Sequence, residues 1–378
     1  MRIRRIVATE VVVPAHPGSI ESASLHRPLH KLPVKGSRGW SVQFDQLPKI
    51  ILRIELADGT VGLGETYRSP DWPTVDAVAE TLLDADITTL CRQELPFART
   101  REYDGFEIAL WDAYARLLGV RVVDLLGGPA QDRVDVSAWS SHRTVDEIGE
   151  LSSRYDALGF TTLKLKCSLD DDVVAWCASI ADSAPKMRVV LDPNERFERV
   201  AEARRLAGRL DEIGNVLCLE DPIPQWMMPE WAELRRATPI PIVRHVSMPY
   251  TSVGNRLSDA ITAIRHGTVD GFNFNAGLAD FQRLDHVADI AGLPCWHGSE
   301  VDLGICEAAY VHSAAAARSC TWPSDIFGRL IRTHDLLREP LPTTPPHVSL
   351  PPGPGLGVEL DEAAVAEFRT GEEEYRPR

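Results

Sequence analysis

The chain has 378 residues, more than a single hydrophobic core usually holds, so two domains are expected, one of them the size of a barrel. Hydrophobic residues make up 44% and charged residues 25%, as in a soluble globular protein, and a formal net charge of −15 argues against nucleic acid and acidic membrane surfaces as partners. No apolar run approaches the roughly 18 residues needed to span a bilayer. The seven cysteines are scattered with no Cys-x-x-Cys pair and read as reduced and mostly core residues, and residues 6–13 look like a strand, not a signal peptide. A cytoplasmic protein is the expectation.

Residues 2–14 alternate as a strand that stops at Pro14, and residues 15–44 read as a long polar loop. A hairpin follows, with strands over 50–56 and 61–65 and a turn at Asp58-Gly59. Gly62 and Gly64 do not make a dinucleotide site, because no third glycine and no helix follow at the required spacing. Helical periodicity covers 74–83 and 106–118, so residues 1–130 predict an α+β domain.

From Asp132 onward strands and helices alternate. Strands are predicted over 134–139, 160–166, 187–192, 216–220, 240–245, 269–275 and 293–296, with a weak eighth near 321–327. Helices such as 196–213 and 281–291 lie between them. Eight strands favour a closed barrel over 131–335, and the glycine-rich first turn of an open doubly wound sheet is missing. Residues 336–378 carry a proline-rich run back over the surface, and 372–378 read as a solvated, mobile end.

The sequence Thr-Thr-Leu-Lys-Leu-Lys at 161–166 puts Lys164 and Lys166 on one face of a strand and Leu163 and Leu165 on the other. Twenty-eight residues separate Lys164 from Asp192, and 28 more lead to Glu220. A βα unit takes about 30 residues, so these groups are expected on one rim of a parallel barrel. Alone, a Lys-x-Lys is usually a solvated strand edge and a strand-terminal Asp an N-cap for the next helix. In register, four such groups suit proton abstraction beside a carboxylate, which needs a base and a divalent cation to hold the new negative charge. Asp192 and Glu220 offer hard oxygen ligands suited to Mg²⁺, and a lysine beside another cation is a base near neutral pH.

These motifs carry a resemblance. Lys164-Leu165-Lys166, Leu191-Asp192-Pro193-Asn194, Leu219-Glu220-Asp221-Pro222, Glu107-Ile108-Ala109-Leu110-Trp111-Asp112 and the closing run 354–361 are similar to the mandelate racemase and muconate lactonizing enzyme branch of the enolase superfamily. The resemblance implies a (β/α)7β-type TIM barrel with an N-terminal α+β capping domain completed by the C-terminal segment. It also implies Mg²⁺-assisted removal of an α-proton from a small carboxylate to give an enediolate. Lys166 would be the base, Lys164 the neighbour that lowers its pKa and contacts the substrate carboxylate, and Asp192 and Glu220 metal ligands. Loops around 15–45 and near Tyr67 would close over the substrate.

Three strand ends depart from the pattern. On the fifth strand His245 stands where a third acidic ligand is usual, and imidazole suits Zn²⁺, Ni²⁺ or Fe²⁺ better than Mg²⁺. Arg244 is the other neighbour of that position. The sixth strand offers Asn275, which cannot accept a proton, in place of a Lys or Asp. At the seventh, His297 resembles the family's other possible base but is one residue off register, and Glu300 or Asp302 could orient the substrate. Racemisation needs bases on both faces of a carbon, whereas cycloisomerisation or dehydration can run with one lysine. The expectation is therefore a cycloisomerase or dehydratase, a homo-oligomer acting on a small carboxylate. The alternatives are a racemase or epimerase using His297, a catalytically silent barrel that binds an acid, and an unrelated barrel enzyme of phosphate-bearing substrates.

Overall fold

A computed structural model describes residues 1–20, 22, 47–246 and 253–377, so most of the expected loop over 15–45 lies outside the described residues. Strands β1 (Ile3–Val11), β2 (Lys49–Leu56) and β3 (Val61–Glu65) run antiparallel, and Asp58 Oδ1 accepts the Thr60 N–H at 3.0 Å in the β2–β3 turn. Helices Trp72–Leu82 and Tyr103–Leu118 pack with this sheet around a core that includes Ile6, Leu52, Ile54, Leu82 and Phe106.

The glycines of β3 have a packing role. A Cβ on Gly62 would lie 2.2 Å from the Ala109 carbonyl oxygen, and one on Gly64 2.2 Å from that of Gly105, both on the helix Tyr103–Leu118. Helix backbone cannot yield as a side chain can. Gly64→Ala is therefore expected to cost at least about 1–3 kcal/mol by overpacking, read from the midpoint of denaturant unfolding.

Next come β4 (Arg133–Asp135) and the parallel strands β5 (Ala138–Ser140), β6 (Thr162–Lys166), β7 (Arg188–Asp192), β8 (Val216–Glu220), β9 (Ile242–Val246), β10 (Gly271–Phe274) and β11 (Cys295–His297). β5 to β11 form one sheet in sequence order. The run predicted as one strand over 134–139 is divided, since β4 leaves the barrel to pair with β13 (His347–Ser349), itself paired with β12 (Thr343–Thr344). The predicted eighth strand is instead a segment of single parallel bridges, Cys320 to Cys295 on β11 and Ser324 to Val136 beside β5. Pro323 lies between the two bridges, and a residue without an N–H cannot continue a ladder. Those bridges close the (β/α)7β-type TIM barrel.

The last strand, β14 (Arg369–Tyr375), pairs antiparallel with β1, from Val11 opposite Arg369 to Ile6 opposite Tyr375. Most of the tail expected to be mobile is thus a strand of the N-terminal α+β cap. Among the described residues no helix is long and apolar enough to cross a membrane.

Alternation along the barrel strands sorts side chains into two layers. Leu163, Leu165, Val189, Leu191, Leu219 and Ile242 belong to the core shared with the helices. Val190, Cys218, Val243 and Trp296 form a separate cluster inside the barrel. Residues an even number of positions from this second set, at the C-terminal strand ends, face the mouth.

Candidate active site

Lys164 and Lys166 of β6 stand on the inner face, as their spacing predicts. The Lys164 ammonium is buried, 2.7 Å from Glu220 Oε2, 2.7 Å from Asp325 Oδ2 and 3.4 Å from Asp192 Oδ2. It also lies 5.7 Å from the centre of the Trp296 ring. Lys166 is the more accessible amine, its side chain 12% exposed, and it donates to Asp192 Oδ2 and, at 2.8 Å, to Asn194 Oδ1. Two ammonium groups and three carboxylates thus meet at the ends of β6, β7, β8 and the closing segment.

Charge and burial set the state of each group. Burial pulls the Lys164 amine down, but Asp325, Glu220 and Asp192 outweigh it and hold the amine well above its usual range. Burial pushes Asp192 up, yet Lys166 and Lys164 keep its carboxyl below the ordinary range. Glu220 is raised to about 8 by burial and by the charge of Asp192, against the pull of Lys164. Burial likewise raises Asp325. Asp192 is the carboxylate the lysines keep ionised, while Glu220 and Asp325 hold protons more readily.

His245 lies on the inner face with Val243. Its Nδ1 is 3.6 Å from Glu220 Oε1, and neither ring nitrogen has a hydrogen-bond partner. Burial and the Lys164 charge hold it well below its usual pKa, so it is neutral with a lone pair to give. Arg244, one residue earlier, faces the helices and is held by Asp259 at 2.6 and 2.8 Å.

The loops behind these strands are braced. Asn194, Glu195 and Asp221 have φ of 45°, 69° and 42°, unfavourable for side-chain-bearing residues. Glu195 N donates to Asp221 O at 2.7 Å, Gln225 N to Glu195 Oε1 at 2.6 Å, and the Asp221 carboxylate accepts from the Gln225 amide and from His245 N. The turns that carry Asp192, Glu220 and Asn194 are therefore fixed together.

The sixth strand presents Asn273, not Asn275, to this cluster. Asn273 Nδ2 donates to Glu220 Oε1 at 2.8 Å, whereas Asn275 Oδ1 accepts from Tyr67 OH at 3.1 Å, in a network with Asp104 and Arg256. Asp325 is a further member that the motifs did not reveal. The signal for it was an acid in the weak eighth strand.

His297 is outside the mouth. Because Trp296 points into the barrel, the next residue points to the helices, where the His297 ring stacks on Phe281 at 4.4 Å and Tyr310 at 3.9 Å. Glu300 is bound by Arg101 at 2.7 Å and Arg68 at 3.3 Å. Asp302 is held by Lys49 and by Tyr310 OH at 2.7 Å.

Burial pushes His297 down to about 4, against its bond to the Gly298 carbonyl, and pushes His312 to about 4 in the same way. His312 accepts the Val123 N–H and donates to the Leu356 carbonyl, so it also must stay neutral. Both pKa values are depressed, so the unfolded chain takes up protons below pH 6.5 that the native state accepts only near pH 4. Thermal stability is expected to fall across that interval as pH drops, with a shallower slope in His312→Gln.

The donors at the mouth fit a divalent cation in kind. Asp192 and Glu220 are hard oxygen ligands, and both ring nitrogens of His245 are buried with no hydrogen-bond partner, while Glu220 Oε2 faces the Lys164 ammonium at 2.7 Å. They are not yet gathered around one point. Among the described residues the group with ligand atoms within 4.8 Å of one another is Glu65, Asp302 and Cys306, and there the Lys49 ammonium already pairs with both carboxylates.

This closed barrel with its antiparallel cap defines an enolase-type architecture, and residues 147–364 match the family described as Enolase C-terminal domain-like. Muconate cycloisomerase 1 of Rhodococcus opacus is 33% identical over 68% of this chain and 69% of its own length. The enzyme of that name from Pseudomonas putida is 28% identical over 90% and 94%. D-galactarolactone cycloisomerase of Agrobacterium fabrum is 28% identical over 87% and 93%. Among solved structures, N-succinyl Arg/Lys racemase from Bacillus cereus superposes with a TM-score of 0.81 at 19% identity, covering 100% of both chains. Muconate lactonizing enzyme from Pseudomonas putida gives 0.79 at 22%, covering 98% of this chain and 100% of its own. The chain belongs to the enolase superfamily, in its mandelate racemase and muconate lactonizing enzyme branch, and is an isomerase or lyase of that superfamily.

Proposed function

We propose that the chain is a divalent-metal-dependent enzyme that removes the α-proton of a small carboxylate, leading to cycloisomerisation or dehydration. The observation that carries this reading is the convergence of Lys166, Lys164, Asp192, Glu220 and His245 on one barrel mouth. Lys166 is the base. It is the more exposed amine, and Asp192 and Asn194 aim its Nζ by accepting from it. Lys164 is the cation that receives the substrate carboxylate. Asp192 and Glu220, with His245 as third donor, would hold Mg²⁺, or another divalent ion given the imidazole. Such an ion supplies positive charge opposite the negative charge that grows on the substrate as the proton leaves.

One-base chemistry is favoured by the amide of Asn273 on the sixth strand and by the helix-facing side chain of His297. Relatives include both outcomes, cycloisomerases and a probable glucarate dehydratase of Streptomyces coelicolor. The test is incubation of Mg²⁺-loaded protein in D₂O with unsaturated diacids, acid sugars and acylated amino acids. Deuterium at the α-carbon or turnover of one of them, lost on chelation with EDTA, is expected. Exchange that survives chelation would exclude the metal-dependent reading.

A further inference from the structure

The Lys164 ammonium sits where a cation is called for. Glu220, Asp325 and Asp192 surround it at 2.7, 2.7 and 3.4 Å, it is buried, and the face of Trp296 closes another side. Lys166 takes the remaining charge of Asp192. A divalent ion drawn to Asp192 and Glu220 would therefore meet a positive charge already bound to both, and like charges a few ångströms apart repel strongly in a dry site.

We propose that Lys164 and the divalent cation compete for the Asp192–Glu220 pair, so that metal binding is coupled to the arrival of a carboxylate that gives the Lys164 ammonium a new partner. This rests on the metal site of the proposed function. The lysine stem has four carbons and a compact charged head, so the ammonium can change partners without backbone movement. With three carboxylates and two ammonium groups, the cluster has one negative charge to offer when all are ionised, too little for a divalent ion. A cation and a monocarboxylate arriving together raise that sum to zero. Linkage makes the effect reciprocal: whatever the anion does for the metal, the metal does for the anion. An enzyme built this way holds its metal firmly only with substrate present.

Calorimetric titration with Mn²⁺ tests this, using the full chain with and without acetate. Wild-type protein is expected to bind Mn²⁺ weakly alone and roughly tenfold or more tightly in acetate. Lys164→Met is expected to bind tightly without acetate and to gain little from it. Equal, acetate-independent affinity in both proteins overturns the coupling and leaves the metal site standing. No Mn²⁺ binding by either protein under any condition overturns the metal site and the coupling together. If Lys164→Met does not fold, the acetate dependence of the wild-type chain decides by itself.

Discussion

Lys166→Ala is expected to abolish α-proton exchange, lowering the rate by about 10²–10⁴-fold while substrate binding persists. Lys164, the other amine at this mouth, is fastened by Glu220 and Asp325 and held well above its usual pKa, so it cannot replace a missing base. Lys166 has fewer carboxylate partners, its bonds going to one carboxylate and one amide oxygen, and its side chain is the more exposed of the two. The residue lies at the end of β6 with its neighbours Leu163 and Leu165 buried among the helices, so truncation removes the amine without opening the core. Deuterium incorporation followed by NMR reads the loss, and calorimetry with the same acid reads binding. Exchange retained in Lys166→Ala would remove Lys166 from its role as base. Asn194→Ala is a milder version, expected to lower the rate with Lys166 present because it releases one of the two acceptors that aim the amine.

The second large effect concerns stability. Lys49→Met is expected to destabilise the protein by about 3–5 kcal/mol, the range found when one partner of a buried ion pair is removed. Lys49 begins β2 of the cap, is 2% exposed, and pairs with Glu65 of β3 and with Asp302 of the loop after β11. Burial alone would pull its amine down, but Asp302 and Glu65 hold it above its usual range, so the pair of carboxylates always has its cation. Glu65 also accepts from Leu303 N at 2.7 Å and Cys306 N at 3.0 Å, so one ammonium sits at the seam between cap and barrel. Denaturant unfolding measures the loss. Adding Glu65→Gln and Asp302→Asn to Lys49→Met should restore part of it, since the uncompensated charges are what the single change leaves behind. A single variant as stable as wild type would show that the seam does not depend on this pair.

Much of the site was legible in one dimension. The Lys-x-Lys spacing of two placed both lysines on one strand face, and the 28-residue steps to Asp192 and Glu220 follow the βα repeat. His245 was found the same way, by keeping the period on the fifth strand. Strand period and barrel period are local rules of backbone geometry, so they can be read without coordinates.

Other features needed the closed barrel. Spacing tells which residues share a strand face but not which face is inside. That choice put His297 against Phe281 and Tyr310, whereas Asn273 and Asn275, two residues apart, were separated by their partners, Glu220 for the first and Tyr67 for the second. Asp325 joined the site because the segment from Cys320 to Ser324 closes the ring through single bridges around Pro323, leaving no periodic pattern to recognise. The tail is densely charged, with Glu372, Glu373, Glu374 and Arg376, and looked solvated, yet β1 offered an open edge and took it up as β14. Local chemistry determined what each strand end could offer. Only packing, by deciding which face of each strand is enclosed and what stands across the barrel, decided which offers meet.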